Sequence, residues 1–343
     1  MAGGVGERPM KRLIVIVIFG LALFSAVVGI GWQQYQSFLQ EPLSIGVDGH
    51  TLLVKRGSSL RSVVRGLQQK GLSTSNWGWR LLSRLQPVTI MAGEYALKPG
   101  LTPPAFLDLL ASGEVIRYRF TIIEGWTFSQ LKQALVRDPV LTQELPNLDG
   151  DKFILNAIEA EITHPEGWFL PETYQYVRGD SDLDILRRSH QAMKLALDAI
   201  WEARTEDLPL KSPYELLTLA SIVERESGLD SERAEIAGVF IRRLEQGWRL
   251  ETDPTVIYGL GDAYDGDIRR RDLDTDTPYN TYTRFGLPPT PIALPGKSAL
   301  AASAAPAHGT AMFFVASGSG GHVFSNTLDE HNSAVKKMLR RQK

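Results

Sequence analysis

Two carboxylates close a largely apolar stretch of the sequence. In "SIVERESGLD", residues 221–230, Glu224 and Glu226 follow Ile222 and Val223. A carboxyl group beside buried apolar neighbours can keep its proton near neutral pH and act as a general acid. A glutamate at a helix end is more often a solvated charge, and the spacing alone favours that interpretation. Each glutamate is therefore either a catalytic acid or an exposed charge that ends a helix.

The segment that carries these glutamates has clear helix signals. Ser212 is a good N-cap, Pro213 suits the first helical position, and Glu215 can complete a capping box. Gly228 is a suitable residue to follow the last turn. A second helix is predicted over residues 232–246, ending before Gly247.

Helical periodicity places both glutamates at the border of the buried face. The predicted apolar stripe consists of Leu216, Leu219, Ala220, Ile222 and Val223. Glu224 and Glu226 lie at opposite edges of this stripe, whereas Arg225 faces solvent. Both glutamates fall in the last turn, where the negative end of the helix dipole and partial burial raise a carboxyl pKa. Periodicity does not choose between them.

The composition excludes several classes of protein. The 343 residues have a formal net charge of -2 and a pI of about 6.3. This balance argues against a nucleic-acid-binding protein, which needs a clustered basic surface. The chain has no cysteine, so disulfides, thiolate catalysis and thiolate metal sites are excluded. Its length suits two domains or three small ones.

The N-terminal region predicts a membrane anchor. Residues 13–32 form an uncharged run of about 20 residues, which is long enough to cross a bilayer. Arg8, Lys11 and Arg12 precede it, so residues 1–12 are predicted to be a cytoplasmic tail and the rest to lie outside the cytoplasm. The alternative is a cleaved signal peptide, which normally has a shorter apolar region and a small-x-small cleavage site. The polar residues 33–48 are predicted to be an extended linker.

Three similar units follow the linker, and each consists of a short strand, a glycine turn and a helix. The units are "LLVKRGSSLRSVVRGL", "YALKPGLTPPAFLDLL" and "FTIIEGWTFSQLKQAL", with turns at Gly57, Gly100 and Gly125 and hydroxyl residues at Ser59, Thr102 and Thr127. Glycine permits the turn, and the hydroxyl can cap the helix. Residues 138–162 carry no clear pattern. The aromatic segment 165–176 suits either sugar stacking or a domain interface, and a long helix is predicted over residues 183–204.

Other candidate motifs give only weak evidence for a metal site, an acyl-transfer site or a phosphate site. The spacing of His308, His322 and His331 matches no compact metal site. The Ser-x-x-Lys pattern of penicillin-binding enzymes occurs at Ser129 and again at Ser333, without its companion motifs. "SGSGGH" lacks the ending of a phosphate loop and is better explained as a hairpin turn between "FFVA" and "HVFS".

Several longer blocks resemble one family. "LASIVERES", "ETDPTVIYGLG", "YNTYTRFGLPPTPIALPG" and "FVASGSGGHVFSNTLDEHN" are similar to the YceG-like family of endolytic murein transglycosylases, and "EGWFLPETYQY" resembles its segment before the catalytic domain. The resemblance implies an α+β fold in which an N-terminal transmembrane helix precedes a LysM-like module at residues 49–118. A connecting region at residues 119–205 and a mixed α+β catalytic domain at residues 206–343 complete the expected order.

The resemblance also implies an activity. Glu226, in the Glu-Ser pair, would be the catalytic acid and then base, and Glu224 a supporting neighbour. The enzyme would cleave the β-1,4 bond between N-acetylmuramic acid and N-acetylglucosamine in peptidoglycan and leave 1,6-anhydro ends, without a metal or cofactor. It would lie in the bacterial inner membrane with its catalytic part in the periplasm, and would trim or terminate strands made by peptidoglycan synthases. The alternatives are a glycan-binding or division scaffold without activity, and a hydrolytic muramidase.

Further site residues are expected near "YNTY". Tyr279, Asn280 and Tyr282 offer an amide and two phenols that suit sugar hydroxyl and N-acetyl groups. Asp253 precedes a proline and is expected to cap a turn or brace the fold in support of the site. The proline-rich "GLPPTPIALPG" suits either a groove wall or a simple connection.

Overall fold

The computed structural model describes residues 7–318 and 320–341, with side chains described from residue 13 to 340. The first six residues of the predicted cytoplasmic tail lie outside this range. The chain divides into two compact units. Unit one comprises Met1–Arg117 with Val177–Gly179, and unit two comprises Tyr118–Tyr176 with Asp180–Lys343. Helices and short antiparallel strands occur in both, so the predicted α+β class is confirmed.

The N-terminal helix α1 spans Glu7–Gln40. Within it, Leu13–Gln40 is long and apolar enough to cross a membrane, with a mean hydropathy of 3.0 in its most apolar window. The side chains of residues 13–30 are exposed. The helix does not end at residue 32, and the prediction of an extended linker from residue 33 is wrong as far as residue 40. Tyr35 and Phe38 lie on one face and are buried against unit one, which holds the last two turns in helical form.

Unit one continues with two strands that enclose two helices. The elements are β1 His50–Val54, α2 Leu60–Gln69, α3 Asn76–Leu85, β2 Gly93–Leu97 and α4 Pro103–Ser112. Strands β1 and β2 pair antiparallel, with His50 opposite Leu97 and Val54 opposite Gly93. Alternate residues of both strands and the apolar faces of the helices form one core, centred on Leu67, Tyr95 and Phe106.

The three predicted turns form as expected. Gly57, Gly100 and Gly125 all have positive φ angles, which explains the glycines. Ser59 and Thr127 occupy N-cap positions and accept a hydrogen bond from the backbone of the following turn. Thr102 is also an N-cap but makes no side-chain bond, and prolines occupy the start of its helix. A hydroxyl residue two positions after the glycine therefore marks the start of all three helices, but its side chain forms the capping hydrogen bond in only two of them.

The first part of unit two contains β3 Arg117–Thr121, α5 Phe128–Val136, α6 Asp151–Ala157, β4 Thr173–Val177 and α7 Asp182–Glu202, except that Arg117 and Val177 belong to unit one. Strands β3 and β4 form a two-stranded sheet. A short 3₁₀ helix at Leu145–Asn147 and α6 occupy the stretch that had no clear sequence pattern. The long helix α7 confirms the prediction for residues 183–204 to within two residues at its end. The aromatic segment 165–176 is a loop that leads into β4.

The second part of unit two contains α8 Pro213–Glu226, α9 Asp230–Glu245, α10 Asp253–Leu260, α11 Arg270–Asp274 and α12 Lys297–Ala304. It ends with β5 Phe313–Ala316, β6 His322–Ser325 and α13 Leu328–Arg341. The predicted stripe of α8 is fully buried. The core around it includes residues of α7, α9 and α12. Strands β5 and β6 pair antiparallel, with Ala316 opposite His322, so the predicted hairpin is confirmed.

Both ends of α8 differ in detail from the prediction. Ser212 caps the first turn by accepting from the Glu215 amide, but the Glu215 carboxylate accepts from the Lys211 amide instead of that of Ser212. At the other end Ser227 is extended, with φ of -134°, and Gly228 does not take the left-handed conformation of a helix stop. The chain therefore leaves the helix directly after Glu226, so this residue is the last one of α8.

Candidate active site

Glu226 lies where α8 ends, on the wall of a cleft. The cleft has a volume of about 440 Å³, and the half-buried side chain of Glu226 is part of its lining. The lining residues are Glu226, Arg243, Leu250, Glu251, Thr252, Asp253, Tyr282, Phe313, Phe314, Val315, Ala316, His322, Leu328 and His331. They come from α8, α9, α10, the β5–β6 hairpin, α13 and two loops. A carboxyl group thus meets a cavity large enough for part of a saccharide.

The surroundings of Glu226 favour its protonated form. Burial raises the pKa of its carboxyl above the ordinary value, and the nearby negative charge of Asp253 acts in the same direction. The hydroxyl of Thr252 donates a hydrogen bond to Glu226 Oε1 and opposes the shift, as do the charges of His322 and Arg243. The net effect is a raised pKa, which a general acid near neutral pH requires.

Three threonines fix the hydroxyl that touches Glu226. The backbone amide of Thr252 donates to Thr281 Oγ1 at 3.1 Å, and Thr255 Oγ1 donates to the Thr252 carbonyl at 2.7 Å. The hydroxyls of Thr255 and Thr281 lie 2.9 Å apart. All three residues are buried. Because its backbone is held from both sides, Thr252 presents its hydroxyl to Glu226 in one position.

A fixed cation lies in the wall of the cleft. Arg243 is 6% exposed, and its guanidinium donates to the carbonyls of Met312 at 2.9 Å and Leu250 at 2.7 Å. Its closest carboxylate oxygen, on Glu251, is 3.6 Å away. The two carbonyls fix the position of Arg243, and the Glu251 carboxylate compensates part of its charge.

A histidine–glutamate pair also lines the cleft. His322, the first residue of β6, places its Nδ1 2.7 Å from Glu232 Oε2. Its backbone amide donates to the other carboxylate oxygen at 2.9 Å. These two bonds keep the pKa of Glu232 below its ordinary value, so Glu232 is a carboxylate and accepts the Nδ1 proton. The remaining ring nitrogen, Nε2, is therefore the one left for the cleft.

Two of the predicted site residues meet at the cleft rim. The hydroxyl of Tyr282 donates to Asp253 Oδ1 at 2.6 Å, and both side chains line the cleft with Glu226. Burial and the neighbouring carboxylate raise the pKa of Tyr282, which stays a neutral phenol. Asp253 begins α10. This aspartate thus orients a phenol that faces the cavity.

Glu224 lies in a different environment from Glu226. Its carboxylate is 2.8 Å from Arg233 Nη2, and both side chains are about 95% buried. It also accepts from the Gly296 amide at 2.9 Å, which joins α8 to the start of α12. Burial raises its pKa, and these two contacts oppose the shift. The ion pair and the backbone bond hold Glu224 as a brace between α8, α9 and α12.

Asn280 and Tyr279 lie outside the cleft. The amide of Asn280 is 1% exposed and donates to the carbonyls of Leu273 and Thr275, at 2.9 and 2.7 Å. Its oxygen accepts from the Tyr282 amide, so the loop uses both ends of the side chain. Tyr279 lies against Tyr258 and shares a hydrogen bond of 2.9 Å with Thr290. Neither side chain lines the cleft, and Asn280 shapes the loop that presents Tyr282, so a sugar contact by Tyr279 or Asn280 stays a prediction.

The sequence of this chain is similar to that of a known protein family. The sequence profile of the YceG-like family matches residues 52–337, which is most of the chain. The chain belongs to the YceG-like family.

Named relatives and one solved structure support this assignment. An endolytic murein transglycosylase of Bacillus subtilis is 31% identical over 307 residues, covering 83% of this chain and 84% of the relative. A protein of the same name from Streptococcus pneumoniae is 26% identical over 95% of this chain, and this chain spans 65% of that relative's length. The crystal structure of a YceG-like protein from Listeria monocytogenes superposes with a TM-score of 0.54 at 27% identity, over 84% of this chain and 99% of that one.

Sequence reasoning missed four cleft residues of this YceG-like chain. Thr252 and Arg243 gave no signal, because a threonine before "DP" and an arginine within an amphipathic helix are common. His322 and His331 were considered only as metal ligands. The predicted hairpin could have indicated His322. This histidine is the first residue of the second predicted strand, so it lies beside the hairpin turn.

Proposed function

We propose that this chain is an endolytic murein transglycosylase that cuts the β-1,4 bond between N-acetylmuramic acid and N-acetylglucosamine within glycan strands. The observation that carries the proposal is the Glu226 carboxyl, whose pKa is raised and which lies on the wall of a cleft of about 440 Å³. The named relatives support the substrate class and the reaction.

In the proposed reaction Glu226 acts first as an acid. Its proton passes to the glycosidic oxygen as the bond between that oxygen and muramoyl C1 breaks, which leaves positive charge at C1. The muramoyl 6-hydroxyl then bonds to C1, and its proton passes to the Glu226 carboxylate. The products are a free 4-hydroxyl on N-acetylglucosamine and a 1,6-anhydro end. Because the substrate supplies the nucleophile, no second carboxylate is required to activate water.

Thr252, Tyr282 and Asp253 have supporting roles in this mechanism. The Thr252 hydroxyl fixes Glu226 and stabilises its carboxylate after the proton leaves. Asp253 orients the Tyr282 hydroxyl at the rim, where the phenol can contact a sugar ring. We assign Glu224 to bracing the end of α8, because its carboxylate is already paired with Arg233.

The test of this function compares the two neighbouring glutamates. Purified full-length protein in detergent is incubated with isolated glycan strands, and the products are weighed by mass spectrometry. The wild type is expected to give anhydro-muramoyl ends, which are lighter by one water than the reducing ends of a muramidase. Glu226→Gln should reduce this product by at least about 10²–10⁴-fold, the usual contribution of a general acid.

Glu224→Gln is the matched control, because it removes one carboxylate two residues away. It is expected to lower stability but to keep the anhydro product per folded molecule. Reducing ends in the wild type would indicate a hydrolase. Undiminished product from Glu226→Gln would exclude that residue as the acid, and no product from folded wild type would favour a binding scaffold.

We also propose a location and a glycan-binding role for unit one. Helix α1 would anchor the chain in the bacterial inner membrane, with the rest of unit one after α1 and all of unit two in the periplasm, where peptidoglycan synthases release nascent strands. We propose that β1, α2, α3 and β2, whose two strands pair antiparallel, form a LysM-like module that would hold N-acetylglucosamine residues. Proteolysis of intact spheroplasts tests the location, since an internal catalytic part would resist it. Cosedimentation of Glu226→Gln protein with sacculi, with chitin oligosaccharides as competitors, tests glycan binding; lack of competition would contradict it.

A further inference from the structure

Glu232 and His322 form a hydrogen-bonded pair that takes no part in the proposed proton transfers of Glu226. The carboxylate holds His322 twice, through Nδ1 at 2.7 Å and through the backbone amide at 2.9 Å. Rings of Phe314 and Phe324 lie 5.5 and 6.5 Å from the imidazole, so its plane is also confined by packing. An orientation fixed by hydrogen bonds and by aromatic neighbours is typical of a group that must present one atom in one place.

The tautomer follows from the partner. Since Glu232 can only accept, a neutral His322 carries its proton on Nδ1, and Nε2 is a bare acceptor. The ring lines the same cleft as Glu226. A saccharide in that cleft presents hydroxyl groups, which are good donors to an imidazole nitrogen.

We infer that His322, oriented by Glu232, binds a sugar hydroxyl through Nε2 and so positions the substrate against Glu226. The inference rests on the proposed function and deepens it by naming a second polar contact in the cleft.

The charged and titratable groups around His322 come from four elements. They are Glu232 and Arg243 of α9, Glu226 of α8, Asp253 of α10 and His331 of α13. Because several of these neighbours are charged, the role of His322 is tested by substitution at one pH, with kcat and KM measured separately.

The experiment measures kcat and KM for anhydro product formation at one pH in full-length protein. His322→Ala is expected to lose at least tenfold in kcat/KM, mainly through a higher KM, because a sugar contact is lost. His322→Gln, whose amide oxygen can accept from a sugar hydroxyl, should recover part of this loss. Glu232→Gln should lose less than His322→Ala, because its amide oxygen can still accept the Nδ1 proton. His308→Gln, on an exposed histidine outside the cleft, is the control and should match the wild type.

The outcomes separate this inference from the proposed function. Wild type without anhydro product would overturn the function itself. An active wild type whose KM is unchanged in His322→Ala would overturn the role of the dyad. An equal loss of kcat/KM in His322→Ala and His322→Gln, with a matching loss of stability, would show that the histidine is only structural.

A second inference concerns unit one and rests on its charge. Residues 49–93 contain seven Lys and Arg and no Asp or Glu, although the whole chain has a net charge of -2. Four exposed arginines, Arg61, Arg65, Arg80 and Arg84, line one groove of about 460 Å³ between α2 and α3. Each helix contributes two at a spacing of four residues, which places like charges side by side at a cost in stability. Within the described residues, none of the four forms an ion pair.

The groove lies close to the point where α1 would leave the membrane. The first turn of α3 packs on α1, with Trp77 6.3 Å from Tyr35 and Trp79 5.4 Å from Phe38. Tyr35 and Phe38 follow the last apolar residue of the span, Trp32, by one to two turns. At about 1.5 Å per residue this is roughly 5–9 Å, about the depth of a headgroup layer. Trp79 itself lines the groove.

We propose that this groove binds the phosphate groups of anionic phospholipids at the outer surface of the membrane. Guanidinium groups match phosphate oxygens in geometry and charge, and basic residues beside a membrane span are attracted to anionic lipid. The proposal depends on the proposed location of the chain. It would hold unit one at the membrane surface, where nascent glycan is attached to lipid.

The test uses full-length protein in vesicles of phosphatidylcholine, with or without phosphatidylglycerol. Amide hydrogen exchange in α2 and α3 should slow when phosphatidylglycerol is present and recover in high salt. Arg61→Gln/Arg65→Gln and Arg80→Gln/Arg84→Gln should each lose this protection. Lys336→Gln/Lys337→Gln, which removes two exposed charges from α13, is the matched control and should keep it.

Equal exchange in both lipids would overturn the lipid proposal. Protection by soluble peptide-bearing muropeptides, without protection by phosphatidylglycerol, would instead assign the groove to the carboxylates of wall peptides. Failure of the protein to float with vesicles of either composition would count against the anchor and not against the groove.

Discussion

At the scale of single residues, two glutamates that are two positions apart have opposite environments. Glu224 is turned into the protein and is paired with Arg233, whereas Glu226 is held by a hydroxyl and faces a cleft. A rotation of about 200° separates positions i and i+2 on a helix, so one side chain points between α9 and α12 and the other toward α10. Burial raises the pKa of both carboxyls, but only that of Glu226 is in reach of a ligand.

The substitution Thr252→Val tests how the Thr252 hydroxyl controls the pKa and the position of the Glu226 carboxyl. The Thr252 hydrogen bond stabilises the carboxylate of Glu226, so its loss should raise the pKa of Glu226 further and keep the carboxyl protonated to higher pH. The alkaline limb of kcat/KM is therefore expected to move up. The maximal rate should fall on the order of 10–100-fold, because the carboxyl loses its fixed position. Thr252→Ser keeps the hydroxyl and should restore both the alkaline limb and the maximal rate of the wild type. An alkaline limb that does not move in Thr252→Val would show that the Thr252 hydroxyl does not control the pKa of Glu226.

At the scale of secondary structure, the buried carboxyl of Glu166 links α5 to α10. Glu166 is 3% exposed, accepts from the Phe128 amide at the start of α5 at 2.9 Å, and accepts from the Tyr258 hydroxyl of α10 at 3.0 Å. Burial raises its pKa to about 7. The start of α5 and the middle of α10 therefore depend on one group whose charge changes near neutral pH.

Glu166 should make the stability of unit two depend on pH. The folded protein binds the Glu166 proton more tightly than the unfolded chain, so its contribution is fully present below pH 4.5 and is lost as pH rises toward 7. From 4.5 to about 7, at about 1.36 kcal/mol per pH unit, the loss is about 3 kcal/mol. Urea unfolding at several pH values measures it. Glu166→Gln is expected to remove this slope.

Glu172→Gln, on an exposed glutamate of the same segment, is the matched control and should keep the slope of the wild type. If Glu166→Gln and the wild type lose stability in parallel between pH 4.5 and 7, Glu166 is not the group responsible.

At the scale of the whole molecule, α1 has two functions along its length. Its first part is an exposed apolar rod that suits a bilayer, and its last two turns belong to the core of unit one. Gly78 explains the close approach, because a side chain there would lie 2.7 Å from the Phe38 ring. The anchor and unit one are therefore joined by a continuous packed helix.

Two truncations test this joint. A chain that begins at Gln33 keeps Tyr35 and Phe38, and unit one should retain its stability. A chain that begins at Glu41 loses both buried aromatic rings, and the free energy of unfolding of unit one should fall by roughly 3–6 kcal/mol. Urea unfolding of both proteins measures the difference, and equal midpoints would show that these rings do not stabilise unit one.

The sequence by itself determined the local features of this protein. The apolar run, the glycine turns, the cap residues and the 3.6-residue stripe of α8 depend on neighbouring residues, so they could be predicted from short segments. The same information located Glu226 at the end of a helix but left both glutamates borderline. Where the pattern was weak, as in residues 138–162, the short helices that form there could not be predicted.

The tertiary structure decided which residues meet. Glu226, Thr252, Tyr282 and His322 are separated by up to 96 positions, and no local pattern relates them. Packing of α8 on α9 and α12 turned Glu224 inward, and the loop at residues 272–280 used the Asn280 amide for its own carbonyls. Side-chain pairing of this kind depends on contacts between distant segments, and for that reason only the folded chain distinguished the glutamate that faces the cleft from the one that braces α8.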